Sequence, residues 1–262
     1  MTCTLTNLAD CIPQKIAEYI VYLLNLPLSP LLEMTKKLLT EPVSIELFRP
    51  LWKIIIVIIS FFYGIVFLYA GMQLLFFSFS PERREMAKEQ LRNAVFMLVL
   101  VQLSFFLYSL LIEMGAALSH SALSMVDARF FLLTADNVVN FGLQLVFVAL
   151  YLIVLIITVL LLGIRYVLVS IGVILFPVGI FLTYFTPTKP YGKMVLHVLA
   201  PLILLPAIAA FIIVGVSLLM SIALFENMKI LLTIVAFVLV DTIIIFGGKI
   251  AVEGVTKQII IR

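Results

Sequence analysis

The sequence predicts an all-α, polytopic helical membrane protein with about six transmembrane helices and an amphipathic region at its N-terminus. Three observations carry that reading. Of 262 residues, 64% are hydrophobic and 12% charged, and the mean hydropathy is +1.27. A soluble fold carries roughly 25% charged residues, so half the charge needed to wet a surface is missing and the solvent is lipid. The apolar residues also gather into stretches of about 20 or more, the length that a bilayer's hydrocarbon layer requires.

Residues 1–50 form the amphipathic, interfacial region and residues 51–262 the transmembrane domain. The stretch from Ile16 to Leu39 is apolar enough for lipid but carries Glu18, Asn25, Glu33, Lys36 and Lys37, with Pro27 and Pro30 in its middle. That pattern predicts a pair of short amphipathic helices lying in the interface rather than an additional span. Cys3 and Cys11 have no cluster of Cys or His near them and neither metal nor redox spacing, which leaves a loop disulfide and two unpaired thiols both open. No cleavable leader is expected, because the first basic residue is Lys15 and the stretch after it is broken by prolines.

The first span is expected from Trp52 to Phe79 and the second from Ala94 to Leu118. An apolar run then extends from Val138 to Phe185, interrupted only by Arg165. At roughly 1.5 Å per residue one helix of that length exceeds about 70 Å, more than twice the hydrocarbon thickness, so a fold-back is expected near Gly163–Tyr166. This gives a third and a fourth span. The fifth runs from Met194 to Ile222 and the sixth from Lys229 to Lys249.

Between the first two spans, Ser80 is a good N-cap, Pro81 suits the first helical position, and Glu82 and Glu85 favour the positive end of the helix dipole. Glu85 with Lys88 and Glu89 with Arg92 are spaced to pair on one surface. A helix should therefore start at Pro81 and run unbroken into the second span. Its basic residues, Arg83, Arg84, Lys88 and Arg92, form the densest positive cluster in the chain and are read as a cytoplasmic docking stem by positive-inside logic, with a merely solvated turn as the simpler reading. In a six-span chain, Lys36, Lys37, Arg49, Lys53, Lys189, Lys193, Lys249, Lys257 and Arg262 collect on the opposite side and conflict with that orientation.

The net charge of +3 is too small and too scattered for a nucleic-acid-binding surface. No phosphate loop, HExxH or GxSxG signature occurs, since Gly247-Gly248-Lys249 lacks the leading glycine and the following Ser or Thr. The chain is accordingly read as no enzyme, with no cofactor or metal. Polar residues at membrane depth are the remaining candidates, because an ion there costs roughly 2.5–3.5 kcal/mol and turns toward a partner or a wet cavity. Asp241, midway in the sixth span, should point into the bundle. Glu113 and Arg165 are candidate pore or interhelix residues that can also snorkel, Lys249 is an interface anchor, and Gln73, Gln102 and Gln144 suit interhelical hydrogen bonds. Pro177, Pro201 and Pro206 remove backbone donors inside spans and are expected to kink or break them. Gly172 with Gly179, and Gly64 with Gly71, are spaced for close backbone approach. Thr186–Lys193 reads as a stiff turn.

Taken in order, the residues resemble a family. A tryptophan and lysine open the first span, Tyr69-Ala70-Gly71 closes it, and the Ser80–Lys88 junction and an apolar span follow. Arg165 with Pro177, a Thr-Pro-rich turn and the prolines of the next span complete the series. Residues 50–225 thereby resemble the polytopic inner-membrane subunit of type IV secretion and conjugation systems, the TrbL type, and in size and span number its archaeal, CedA-type DNA-import branch. The resemblance implies a multi-pass plasma-membrane subunit of a DNA-transfer pore. It also implies a cytoplasmic conjugation-type ATPase and small two-span, pilin-like membrane subunits as partners, DNA as transported substrate, and work in an oligomer or hetero-complex. Bacterial members often carry long soluble extensions, whereas this chain ends soon after its last span. A small-solute secondary transporter and a structural membrane scaffold are the alternatives; the first needs internal repeats, which the two halves do not display.

Overall fold

The computed structural model describes residues 8–76, 81–126, 131, 141–185, 188–222, 225 and 228–260. Helices follow one another in the order α1 (Leu8–Thr40), a 3-10 turn (Glu46–Phe48), α2 (Arg49–Phe76), α3 (Pro81–Gln102), α4 (Ser104–Leu123), α5 (Phe141–Tyr184), α6 (Lys189–Leu219) and α7 (Lys229–Ile260). No strand occurs among the described residues. In lipid, every backbone donor and acceptor must be satisfied within its own segment, and for a chain this apolar the helix is the direct solution. Among the described residues, five stretches are long and apolar enough to cross a membrane: Glu46–Gln73, Glu85–Leu123, Val146–Tyr184, Lys189–Leu219 and Lys229–Lys249. The protein is an all-α polytopic membrane protein.

Among the described residues the count is five where about six were expected, and the difference lies in α5. The apolar run expected to fold back near Gly163–Tyr166 is a single helix of 44 residues, α5. Gly163 lies in open space and weakens a helix by only about 1 kcal/mol. Arg165 and Tyr166, which suggested a watery turn, are instead hydrogen-bonded sideways to other segments of the chain. A second correction concerns the N-terminal region, where α1 is one helix of 33 residues through Pro27 and Pro30 rather than two short ones. Nor does any of the intramembrane prolines end its helix: Pro177 lies inside α5, and Pro201 and Pro206 lie inside α6.

The helix that begins at Pro81 continues as expected. Hydrogen bonds from Leu103 N–H to the Val99 carbonyl (3.0 Å) and from Leu107 N–H to the Leu103 carbonyl (2.9 Å) carry the helical pattern from α3 into α4. Of the two ion pairs foreseen on the stem, Glu85–Lys88 forms at 3.5 Å, while Glu89 and Arg92 do not close. The Ser80 cap, the side chains of Arg83 and Arg84, and the Cys3–Cys11 question lie outside the described residues.

By contacts the chain forms two compact units. One comprises Pro42–Gly115, Arg165–Leu205 and Phe246–Arg262. Its core sets Ile56, Ile59, Tyr63 and Val66 of α2 against Ala94, Met97 and Val101 of α3 and Ile180 of α5. Beside it, Tyr108 and Ile112 of α4 pack with Val169 and Val173 of α5 and Ile203 of α6. Trp52 donates its indole N–H to the Ser104 hydroxyl at 2.9 Å, and the Arg49 guanidinium lies 5.3 Å from the Phe105 ring centroid. The other unit comprises Met1–Glu41, Ala116–Ile164 and Pro206–Ile245. There Phe237 of α7 is fully buried with its ring 5.9 Å from Tyr151 of α5 and 6.4 Å from Phe131.

Glycine spacing predicts packing in one helix and not in another. A Cβ at Gly172 would collide with the Tyr108 hydroxyl and lie 2.8 Å from Leu199, and one at Gly179 would lie 3.0 Å from Val195. Gly64 and Gly71, at the same spacing in α2, have nothing within 4 Å, so they bring no backbone of this chain together. Gly172→Ala should cost roughly 1–3 kcal/mol through overpacking. Gly64→Ala should be neutral or stabilising by up to about 1 kcal/mol. Thermal unfolding of the two variants in detergent tests the contrast, and equal losses would contradict it.

One crossing in place of two along α5 moves every later segment to the other side of the membrane. On that count Lys189, Lys193 and Lys249 would share a face with the Pro81 stem, while Arg49 and Lys53 would stay on the opposite one, so the conflict of charges shrinks. Single cysteines at Lys88 and Lys193 should therefore react with an impermeant maleimide from the same face of oriented vesicles, and one at Arg49 from the other. Labelling of positions 88 and 193 from opposite faces would restore the six-span arrangement.

Candidate functional site

Arg165 is the polar residue most changed by folding. It stands in the middle of α5 with 5% of its surface exposed, not at an interfacial turn. Its Nε donates to the Leu202 carbonyl at 2.8 Å and its Nη2 to the Ile203 carbonyl at 3.3 Å, both on α6. Those acceptors have a cause in the sequence. Leu202 would ordinarily accept from the N–H four residues on, and that residue is Pro206, which has none. The proline thus frees a carbonyl in a place without water, and a guanidinium from the neighbouring helix takes it. Gly115 of α4 adjoins the same carbonyls, since a Cβ there would lie 3.1 Å from the Ile203 oxygen.

Two tyrosines extend this polar seam. Tyr108 of α4 is fully buried and donates its hydroxyl to the Val169 carbonyl at 2.7 Å, in the space that Gly172 leaves. The Tyr166 hydroxyl accepts from the Ser44 backbone N–H at 3.2 Å and so ties the segment before α2 to α5. Sequence reasoning missed both tyrosines. The signal was present, because a phenol inside an apolar span needs a hydrogen-bond partner when buried. At the end of α5, Thr188 donates to the Leu182 and Phe185 carbonyls, and a Cβ on Gly192 would lie 2.6 Å from the Gly179 oxygen. The stiff turn is therefore a close-packed helical hairpin, with Thr186 and Pro187 outside the described residues.

Asp241 belongs to the other unit. It is 8% exposed on α7, as expected of a carboxylate that points inward. It faces Thr158 of α5, itself fully buried, whose hydroxyl donates to the Val154 carbonyl at 3.0 Å. Among the described residues the Asp241 Oδ1 atom is buried with no hydrogen-bond partner, which is a costly position for an acceptor at membrane depth.

The remaining candidates are not brought into either arrangement. Glu113 is exposed on α4 and accepts from Ser109 at 2.8 Å within its own helix. On the stem, Arg92 is exposed and Lys88 is engaged with Glu85. Lys249 is exposed, but α7 continues past it to Ile260. Gln102 lies near the Tyr63 phenol, and the Gln144 side chain falls outside the described residues. Of the prolines, Pro177 and Pro206 are buried and Pro201 half-buried.

Replacing Arg165 with Met should leave the Leu202 carbonyl without a donor and cost about 1–3 kcal/mol. Pro206→Ala returns an N–H to that carbonyl, so the double variant should lose less than the sum by ~1 kcal/mol in a detergent unfolding cycle. Strict additivity would show that the guanidinium does not answer to the proline. No protein-family model, curated protein or solved structure matches the chain.

Proposed function

We propose that the chain is a membrane-pore subunit of a DNA-transfer machine of the type IV secretion or conjugation kind, acting in DNA import or exchange across the plasma membrane. The observation that carries the reading is the Arg165 clamp. Arg165, Pro177, the Thr-Pro turn and the prolines of the following span were among the features that resembled the TrbL-type subunit. In the folded chain, Arg165 bonds a carbonyl that one of those prolines frees, and the turn joins the two helices concerned.

A second feature supports work within a complex. Along α5 the residues Val146, Leu150, Ile153, Ile157, Leu160, Ile164, Val167, Ile171 and Leu175 form an exposed apolar stripe. At about 1.5 Å per residue it is roughly 44 Å long. A hydrocarbon layer is about 30 Å thick and helices tilt by up to about 40°, so lipid alone does not cover the whole stripe. Other subunits, including the small two-span ones that the resemblance implies, are suited to cover the remainder. Energy comes from a separate cytoplasmic ATPase, for which the exposed Lys88 and Arg92 of the basic stem and the exposed lysines at 189 and 193 are the docking candidates.

Deletion in a DNA-exchanging host should abolish transfer between marked strains, and Arg165→Ala should lower it. Unchanged exchange in an otherwise competent strain sinks the proposal. Asp241 separates the alternative reading: loss of small-solute flux in Asp241→Ala with assembly and DNA exchange intact would favour a secondary transporter.

A further inference from the structure

Between α1 and the ends of its neighbours, within one unit, lies a cavity of about 360 Å3. That is within the roughly 300–1,000 Å3 of small-molecule pockets. Leu32 and Leu39 of α1, Leu123 of α4, Phe131, Ile213 of α6 and Phe237 of α7 supply its apolar walls. Ser29, Glu33, Thr35 and Lys36, all on α1, give it one polar side.

The polar side is not neutral in effect. Glu33 is engaged by Lys37 at 3.1 Å, and the buried Thr35 hydroxyl is spent on the Leu31 carbonyl at 2.8 Å. Lys36 is exposed and joins no ion pair among the described residues, so the uncompensated charge at the rim is one ammonium. An apolar cavity stays dry and takes apolar groups. In a membrane protein the apolar groups at hand are acyl chains, and a basic residue at the rim selects those with an anionic head.

We propose that this cavity holds an acyl chain of an anionic phospholipid whose head group is bound by Lys36. The ligand ties α1 to the bundle and makes the N-terminal helix responsive to the charge of the leaflet against which it lies. Two alterations separate the chain from the head. Lys36→Glu inverts the rim without touching the wall, and Leu39→Trp fills the cavity without touching the charge.

The full chain, delipidated in a neutral detergent, is incubated with phosphatidylglycerol, phosphatidylcholine or oleate, and bound molecules are counted by native mass spectrometry. One phosphatidylglycerol should be retained in preference to phosphatidylcholine by about fivefold, a preference of the size a basic residue gives at an anionic surface. Lys36→Glu should abolish the preference, and Leu39→Trp should remove the bound lipid while the helical circular dichroism stays unchanged. Equal loss of preference in Lys36→Glu and Lys37→Glu would reduce the effect to general positive charge and overturn the proposal. Retention of oleate with no phosphatidylglycerol would overturn it too, as would a wild-type chain that binds neither. If Leu39→Trp does not fold, the exposed Lys36→Glu still decides the matter.

Discussion

A guanidinium at membrane depth bound to two backbone carbonyls sets much of what this chain can be. Arg165 costs free energy wherever it is buried, and nothing in lipid offsets that cost. Leu202 and Ile203 offset part of it, and they can do so because Pro206 leaves one of their carbonyls unclaimed. The two polar defects, a charge in α5 and a missing donor in α6, are each unfavourable alone and mutually satisfied together. Their pairing also fixes the register of α5 on α6 within that unit. Hydrogen bonds from Tyr108 to α5 and from Ser44 to Tyr166 lie along the same stretch, so α4 and the segment before α2 take their positions from it too.

Membrane topology follows from the same contact. Had Arg165 needed water, the helix would have ended near Gly163 and the chain would have turned back. Satisfied by carbonyls, it lets α5 continue for 44 residues, and the parity of all later crossings changes. The basic residues at 189, 193 and 249 then join the stem that begins at Pro81.

Helical class, the limits of the last span at Lys229–Lys249, the helix start at Pro81, the Glu85–Lys88 pair and the inward Asp241 were all legible in the sequence, because each depends on local propensity or on hydropathy over one segment. The fold-back in α5 and the split of α1 were not, and of the kinks or breaks expected at the prolines no break occurs. These expectations assumed that a polar or proline residue must be answered locally. Here the answers come from residues tens of positions away, as Arg165 and Leu202 show. Gly64 and Gly172 make the same point, since the spacing of each with its partner is identical while only the second has a tyrosine against it. What the partner helix offers at a given height is not written in the helix that needs it.

The scarcity of charge that first marked lipid as the solvent also bears on mechanism. Arg165 is bound to carbonyls, Glu113 accepts from a serine in its own helix, and Asp241 faces a threonine, so these three side chains form no ring of ionised groups among the described residues. The apolar stripe on α5, roughly 44 Å long, exceeds a hydrocarbon layer of about 30 Å. The two facts have one resolution. Under the proposed function, other chains would supply the groups that line a passage, and the exposed apolar stripe of α5 is the surface suited to recruit them.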